Sequence, residues 1–430
     1  MEKHVKNLSQ LCVVVLFTLC TAVDVRAQKN YDTNSVIITR SLMHELFNAN
    51  SVPFMQPLVT TINATSNSRY FSQAYVPTSV DKPYFRFGIH TMMGFVRDDQ
   101  RLYTPSLPTE ARPYAFLDSQ YVKVVLFPQP SFQIRDTAGL ALSLVKRLFH
   151  KGLERGFVTV PSKAATIFGN APGTVNIQRD SLVTILSTDA EFSAIFSQLD
   201  SANKAFLVSA VSKLPAALSL PPGQNMNSLF AAVPQLEIGS WHGTELLLRY
   251  VPPVKWDTSV GDFSFFGIAL KHSLSQYFND PLFHAAVQVG YQGTSLANTV
   301  GVTEARLEAN ANFYDVNIHI SKEFDGICEV YTGVDYAAVD INSSYSYVLP
   351  QEVQISLGLL GVDPATGKVI KDPAKGLPGD DVLQVSKSRF TDSMLKWTIG
   401  LQKTLGRFAV FADYSVSQFN LFTGGLSYRF

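Results

Sequence analysis

No stretch beyond the N-terminal segment is long and apolar enough to cross a bilayer as a helix, although 46% of the chain is hydrophobic, because a helical span needs about 20 apolar residues in a row. If the protein lives in a membrane, its backbone groups must be satisfied between the neighbouring strands of a closed barrel. An excess of one charge is lacking too. The 35 Lys and Arg balance 35 Asp and Glu, so composition offers no basic field for nucleic acid or an anionic surface. Cysteine is scarce: of three residues, Cys12 and Cys20 fall in the first 27 and only Cys328 follows, which excludes an intramolecular disulfide once that segment is removed. No Gly-x-Ser-x-Gly, His-Glu-x-x-His or Cys/His metal cluster is present. The expectation is a protein that is not an enzyme and needs no cofactor or metal.

What is present begins with a signal peptide. Lys3 and Lys6 form a basic start, Leu11 to Ala22 a short apolar run, and Val25-Arg26-Ala27 a small-residue end before Gln28. Cys20 raises the question of lipidation, but Leu19 before it is bulkier than a lipidation site uses. At the other terminus, Phe422, Gly424, Leu426, Tyr428 and Phe430 alternate with Leu421, Thr423, Gly425, Ser427 and Arg429, giving one greasy and one mostly polar face. The pattern carried by Thr423, Gly425, Tyr428 and Phe430 resembles the C-terminal signal read by the outer-membrane barrel assembly machinery. That resemblance implies this machinery and outer-membrane lipid as partners, and the outer membrane of a Gram-negative bacterium as location.

The second half of the chain supplies matching strands. Phe283 to Gln292, Tyr314 to Ile320, Cys328 to Tyr336, Leu395 to Gln402 and Phe408 to Ser415 each alternate apolar with polar residues, the barrel rule of apolar out and polar in. Tyr250, Trp256, Tyr291, Tyr336, Trp397, Tyr428 and Phe430 are candidates for interfacial girdles. Strands are expected near 84–95, 117–127, 154–160, 232–241, 244–252, 262–274, 283–292, 304–321, 326–341, 387–404, 407–417 and 420–430. The fold class is therefore an all-β transmembrane antiparallel β-barrel of about twelve strands, with ten to fourteen open. Short links at 241–243, 321–326 and 405–406 read as periplasmic turns, and 253–261, 293–303 and 342–386 as outer loops.

The first half is not all barrel. Residues 28–83 hold an amphipathic stretch, Val36 to Phe47, then Pro53, Pro57 and Pro77, and read as a plug-like segment ahead of the 84–430 barrel. A second helix is expected from an Asp136 N-cap through Leu140, Leu144 and Leu148 to Gly152, and a third helical region over Thr188 to Leu214. The insertion 161–231 reads either as partly helical material sheltered in the lumen or mouth, or as a flexible loop outside.

Strand parity turns Arg86, His90, Glu245, Arg249, Lys271, Asp315, His319, Glu329, Asp335, Asp413 and Arg429 inward. His284 has the same parity. These residues read as a hydrated lumen network tying plug to wall, and their mixed signs argue against a strongly ion-selective pore. Leu247, Phe265, Tyr331 and Phe411 beside them suggest an amphipathic interior.

The runs Val233 to Gly239, Gly243 to Pro252 and Phe266 to His272, together with Phe54 to Leu58, resemble an outer-membrane family of Bacteroidota-type bacteria that carries a domain of unknown function. The layout of an N-terminal plug-like segment before an antiparallel barrel is also similar to FadL-type long-chain fatty-acid transporters, though none of their substrate-binding residues is found by motif. The resemblance implies an outer-membrane protein with a role in passage of hydrophobic or amphipathic small molecules. The competing expectation is a non-transporting surface or structural barrel whose outer loops, above all 342–386, bind a partner.

Overall fold

The computed structural model describes residues 31–430 apart from 67–70, 72, 112–117, 126–130, 172, 198, 256–261, 301–304 and 325. The segment read as a signal peptide and Trp256 lie outside the described residues. Ten strands form one closed barrel: β1 (Tyr84–Phe95), β2 (Ser228–Trp241), β3 (Thr244–Lys255), β4 (Asp262–Ser273), β5 (His284–Val300), β6 (Ala305–Phe324), β7 (Cys328–Tyr347), β8 (Gln384–Leu405), β9 (Phe408–Val416) and β10 (Leu421–Arg429). Each pairs antiparallel with its neighbours in sequence, and β1 closes the ring by pairing with both β2 and β10. Followed round the ten strands, the register climbs by about twelve residues, a stagger that goes with tilted strands.

The count of ten corrects the expected twelve. Two of the expected strands lie outside the wall: 122–125 pairs with 131–134 in a separate hairpin, and 158–159 pairs with 174–177 in a small sheet completed by 217–219. Local alternation marks a strand without saying which sheet it joins. The wall strands also run further than sequence suggested. β5 and β6 shorten the link between them to 301–304, and β7 and β8 trim the expected loop 342–386 to 348–383.

Outward positions are apolar and exposed: Ile268, Leu270, Val289, Val316, Ile318, Tyr336, Leu395, Trp397, Ile399, Leu401, Phe422 and Leu426 among them. Such a belt far exceeds the apolar patch that a water-soluble monomer displays. No described helix is long and apolar enough to cross a membrane. At the last strand, Phe430 N–H donates to the Phe85 carbonyl at 2.9 Å, and Tyr428 packs its ring against Phe408 and Phe430. Thr423 and Gly425 of the same strand face inward. A Cβ on Gly425 would collide with the Ile89 carbonyl and the Phe411 ring, so glycine here lets that aromatic fill the interior.

The end of the barrel carrying the 241–244, 324–328 and 405–408 links is called the turn end, and the opposite end the loop end. Residues 96–227, inserted between β1 and β2, cross the loop end as a cap with α2 (Thr137–Glu154), α3 (Arg179–Thr188), α4 (Ala190–Phe196) and α5 (Ser201–Ser212). The Asp136 carboxylate caps α2 by accepting from Gly139 N at 3.0 Å, as its place before an apolar-periodic run predicts. The insertion thus begins well before the expected 161. The cap has its own apolar core, to which Leu144, Leu148, Leu182, Ile185 and Leu218 contribute.

Candidate functional site: the barrel interior

The amphipathic stretch Val36 to Phe47 belongs to a longer helix. Helix α1 (Thr33–Ser66) runs through both Pro53 and Pro57. Each proline removes a helix hydrogen bond and frees the carbonyl four residues earlier, and that of Ala49 accepts from the Ser106 hydroxyl at 3.5 Å. The first half of α1 gives Val36, Ile38, Leu42, Met43 and Leu46 to the cap core. Lys146 of α2 holds it from the side, bridging Glu45 at 3.0 Å and Glu110 at 3.2 Å. Burial works against the charge of this ammonium, but hydrogen bonds to the two carboxylates raise its pKa above the ordinary lysine value. Arg40 is bound by Asp380 of the loop between β7 and β8, which also accepts from Leu349 N at 2.9 Å.

The second half of α1 lies against inward side chains of the wall. Val59 packs with Ala311, Phe313, Val339, Ile341 and Phe390, and Ala64 with Ala337 and Met394. Polar contacts accompany them: Ser51 and Ser388 hydroxyls stand 3.0 Å apart, and Asn63 Nδ2 donates to Asp392 at 3.2 Å. Thr61, Asn63 and Ala64 have no exposed surface. Beyond α1 the chain continues toward the turn end. The Phe71 ring stacks on His319 with centroids 4.6 Å apart, the Gln73 carbonyl accepts from Lys271 Nζ at 3.1 Å, and Ala74 N–H donates to Ser321 at 3.0 Å.

The wall around this segment changes character along its height. Toward the turn end it is polar and charged. Lys271 and Glu245 meet at 2.6 Å, Lys396 and Asp335 at 2.7 Å, and Arg86 and Glu237 at 2.7 Å. In all three pairs the residues are direct cross-strand partners in the register, the placement in which opposite charges reinforce a sheet. Further polar contacts surround them. The Tyr84 hydroxyl donates to Glu245 at 2.5 Å, Arg249 Nε to Gln235 at 2.8 Å, Asn317 to Asp315 at 2.9 Å and the Tyr331 hydroxyl to Asp413 at 2.7 Å. Toward the loop end the wall is largely apolar: Phe313, Val339, Ile341 and Phe390 on one side, Met92, Val233, Val251 and Phe265 on the other.

At the turn end the interior opens into a cavity of about 280 Å³, bounded by Gln73 of the N-terminal segment, by Arg86 and Arg429, and by the links between β6 and β7 and between β8 and β9.

Every residue expected inward from parity sits on the inner side. His90, Glu245, Arg249, Lys271, Asp315, His319, Asp335 and Asp413 are almost wholly buried, Glu329 and Arg86 line the turn-end cavity, and Arg429 lies over the Tyr84 ring at its rim. The expected tie between plug and wall is corrected in part. The three ion pairs run strand to strand, while Lys271 and Arg86 also reach Gln73 of the N-terminal segment, at 3.1 Å and 3.4 Å. Parity missed Glu237 as a partner. Its signal was present in the alternation of Val233 to Gly239, but register was needed to set it opposite Arg86. Among the described residues no three His, Cys, Asp or Glu side chains gather as a metal site.

No curated protein matches the chain. Among solved structures, Ail, the attachment invasion locus protein of Yersinia pestis, aligns over 44% of this chain and 95% of its own, with 13% identity and a TM-score of 0.21. OmpT of Vibrio cholerae aligns over 83% and 100% with 9% identity and a TM-score of 0.18, and OccK2 of Pseudomonas aeruginosa over 83% and 99% with 8% identity and a TM-score of 0.11. Scores this low carry no argument about fold or function. Residues 5–430 match DUF6588, a family of unknown function, and the chain belongs to that family.

Proposed function

We propose that the protein is an outer-membrane barrel for passage of hydrophobic or amphipathic small molecules, with residues 33–77 as its displaceable plug and no catalytic chemistry of its own. The observation that carries this reading is the apolar inner wall of the loop-end half, where Val59 and its neighbours on α1 cover Phe313, Val339, Ile341 and Phe390. A water-filled porin has a polar interior, so an apolar wall covered by a segment of the same chain favours a greasy occupant. The wall pairs Lys271–Glu245, Lys396–Asp335 and Arg86–Glu237 keep their partners when the plug moves, so withdrawal strands none of these three cations. The turn-length rule puts the turn end in the periplasm and the cap outside.

The test is a lock. Ser51 on α1 and Ser388 on β8 have hydroxyls 3.0 Å apart, a separation at which S51C/S388C can close a disulfide. In proteoliposomes, oxidised S51C/S388C should block influx of a lipophilic dye and reduction should restore it. Equal influx in both states refutes passage by plug withdrawal.

A second reading, a surface barrel that binds a partner through its loops, is favoured by the cap having its own core. In the loop between β7 and β8, Gly361 and Val362 pair antiparallel with Ile370 and Val369, and this reading expects deletion of 361–370 to abolish partner binding and leave dye influx unchanged.

A further inference from the structure

The turn-end cavity carries charge that the wall network does not absorb. Lys403, Arg407 and Arg429 are among its lining residues, and their described partners are neutral. Lys403 Nζ reaches the Gly326 carbonyl at 3.4 Å, Arg407 Nη1 the Tyr428 hydroxyl at 3.4 Å, and the Arg429 guanidinium lies 4.4 Å from the Tyr84 ring centroid. Arg407 and Arg429 are adjacent across the sheet, with Arg429 N–H donating to the Arg407 carbonyl at 2.8 Å. The fourth cation at the cavity, Arg86, is occupied by Glu237. Glu323 and Glu329 also line the cavity, so the three remaining cations still outnumber the carboxylates. Beside them the rim is greasy, with Phe324, Ile327 and Phe408 46%, 67% and 48% exposed.

We propose that this mouth binds the anionic head of an amphiphile, a phosphate or carboxylate held by Arg407, Arg429 and Lys403, with its alkyl chain along Phe324, Ile327 and Phe408. Guanidinium groups suit such heads because their donors match paired acceptor oxygens. The proposal deepens the passage reading by giving its substrate a charge, and it rests on that reading only for the barrel being in a membrane. A membrane phospholipid and a solute in transit share this chemistry.

Cys328 lines the cavity and reports occupancy. The experiment measures the rate of Cys328 alkylation by a maleimide, read by peptide mass spectrometry on the full barrel in neutral detergent. Dodecyl phosphate should slow alkylation several-fold, while dodecanol and inorganic phosphate at the same concentration should not. K403Q/R407Q should need roughly a hundredfold more dodecyl phosphate, at about tenfold per charge-assisted contact, and R429Q about tenfold more, with the wild-type effect weakening in salt. In phosphatidylcholine nanodiscs, protection on adding phosphatidylglycerol assigns the head to membrane lipid, and protection by dodecyl phosphate alone assigns it to a solute. Equal protection by dodecanol, equal protection by inorganic phosphate, or unchanged protection in both variants overturns the proposal. A negative disulfide-lock result would refute passage and leave this binding measurement standing.

Discussion

The two halves of the barrel interior solve the same packing problem with different chemistry. Near the turn end, buried charges meet as cross-strand ion pairs such as Lys396–Asp335, with exposures of about 1%. Near the loop end, Phe313, Val339 and Phe390 close on Val59 of α1 as a small hydrophobic core does. The difference teaches how each half tolerates loss of the N-terminal segment. An ion pair completed within the wall stands without the plug, whereas an apolar wall stripped of its helix exposes greasy surface to whatever enters. The cap side is therefore where plug and wall depend on each other most.

The comparison breaks hardest at the charged half. Lys396→Met leaves Asp335 buried beside a vacated partner, and such losses cost about 3–5 kcal/mol. Urea unfolding followed by the gel shift of folded barrels should show it, and K396M/D335L should recover most of the loss. A single variant as stable as wild type would mean that water reaches this layer. At the apolar half, Phe313→Ala should cost about 3 kcal/mol by cavity formation and should raise dye influx, because Phe313 packs against the plug. An equal stability loss with unchanged influx would separate wall packing from plugging.

Smaller effects sharpen the comparison at the plug itself. Asn63→Ala removes a donor to the Asp392 carboxylate, a loss of about 2 kcal/mol, read as faster proteolysis of the N-terminal segment. The smallest effect concerns Lys146 in the cap. Its pKa is raised in the fold, so the stability that it contributes is full below the ordinary lysine value and declines as pH rises through the folded one. Thermal unfolding should lose stability between pH 10 and higher pH in wild type more than in Lys146→Met, by less than about 1 kcal/mol given the partial exposure of the group. An identical alkaline profile in the two proteins would remove Lys146 as the fastening between α1 and α2.

Legibility differed between features for physical reasons. Asp315, Asn317 and His319 were readable as inward because side-chain direction alternates with a period of two along any strand, and the apolar partners Tyr314, Val316 and Ile318 confirmed the phase. The same rule placed Arg429 and Glu245. It misassigned 117–127 and 154–160 to the wall, because alternation is a property of one strand whereas membership of a sheet is a property of two. The helix through Pro53 and Pro57 went unread for a related reason. Proline weakens a helix locally, and what sustains α1 is contact on both halves, with the cap core first and the barrel wall afterwards.

By itself the sequence pointed to an antiparallel barrel with an apolar exterior and named most of the polar residues inside it, since strands of period two placed in a bilayer must satisfy one another's backbone groups in a closed ring. Only the tertiary structure decided that ten strands make the wall, that Glu237 faces Arg86 and Lys396 faces Asp335, and that α1 joins cap to interior. Register, closure and the docking of a helix are set by contacts between residues distant along the chain, and no local periodicity encodes which distant residues will meet.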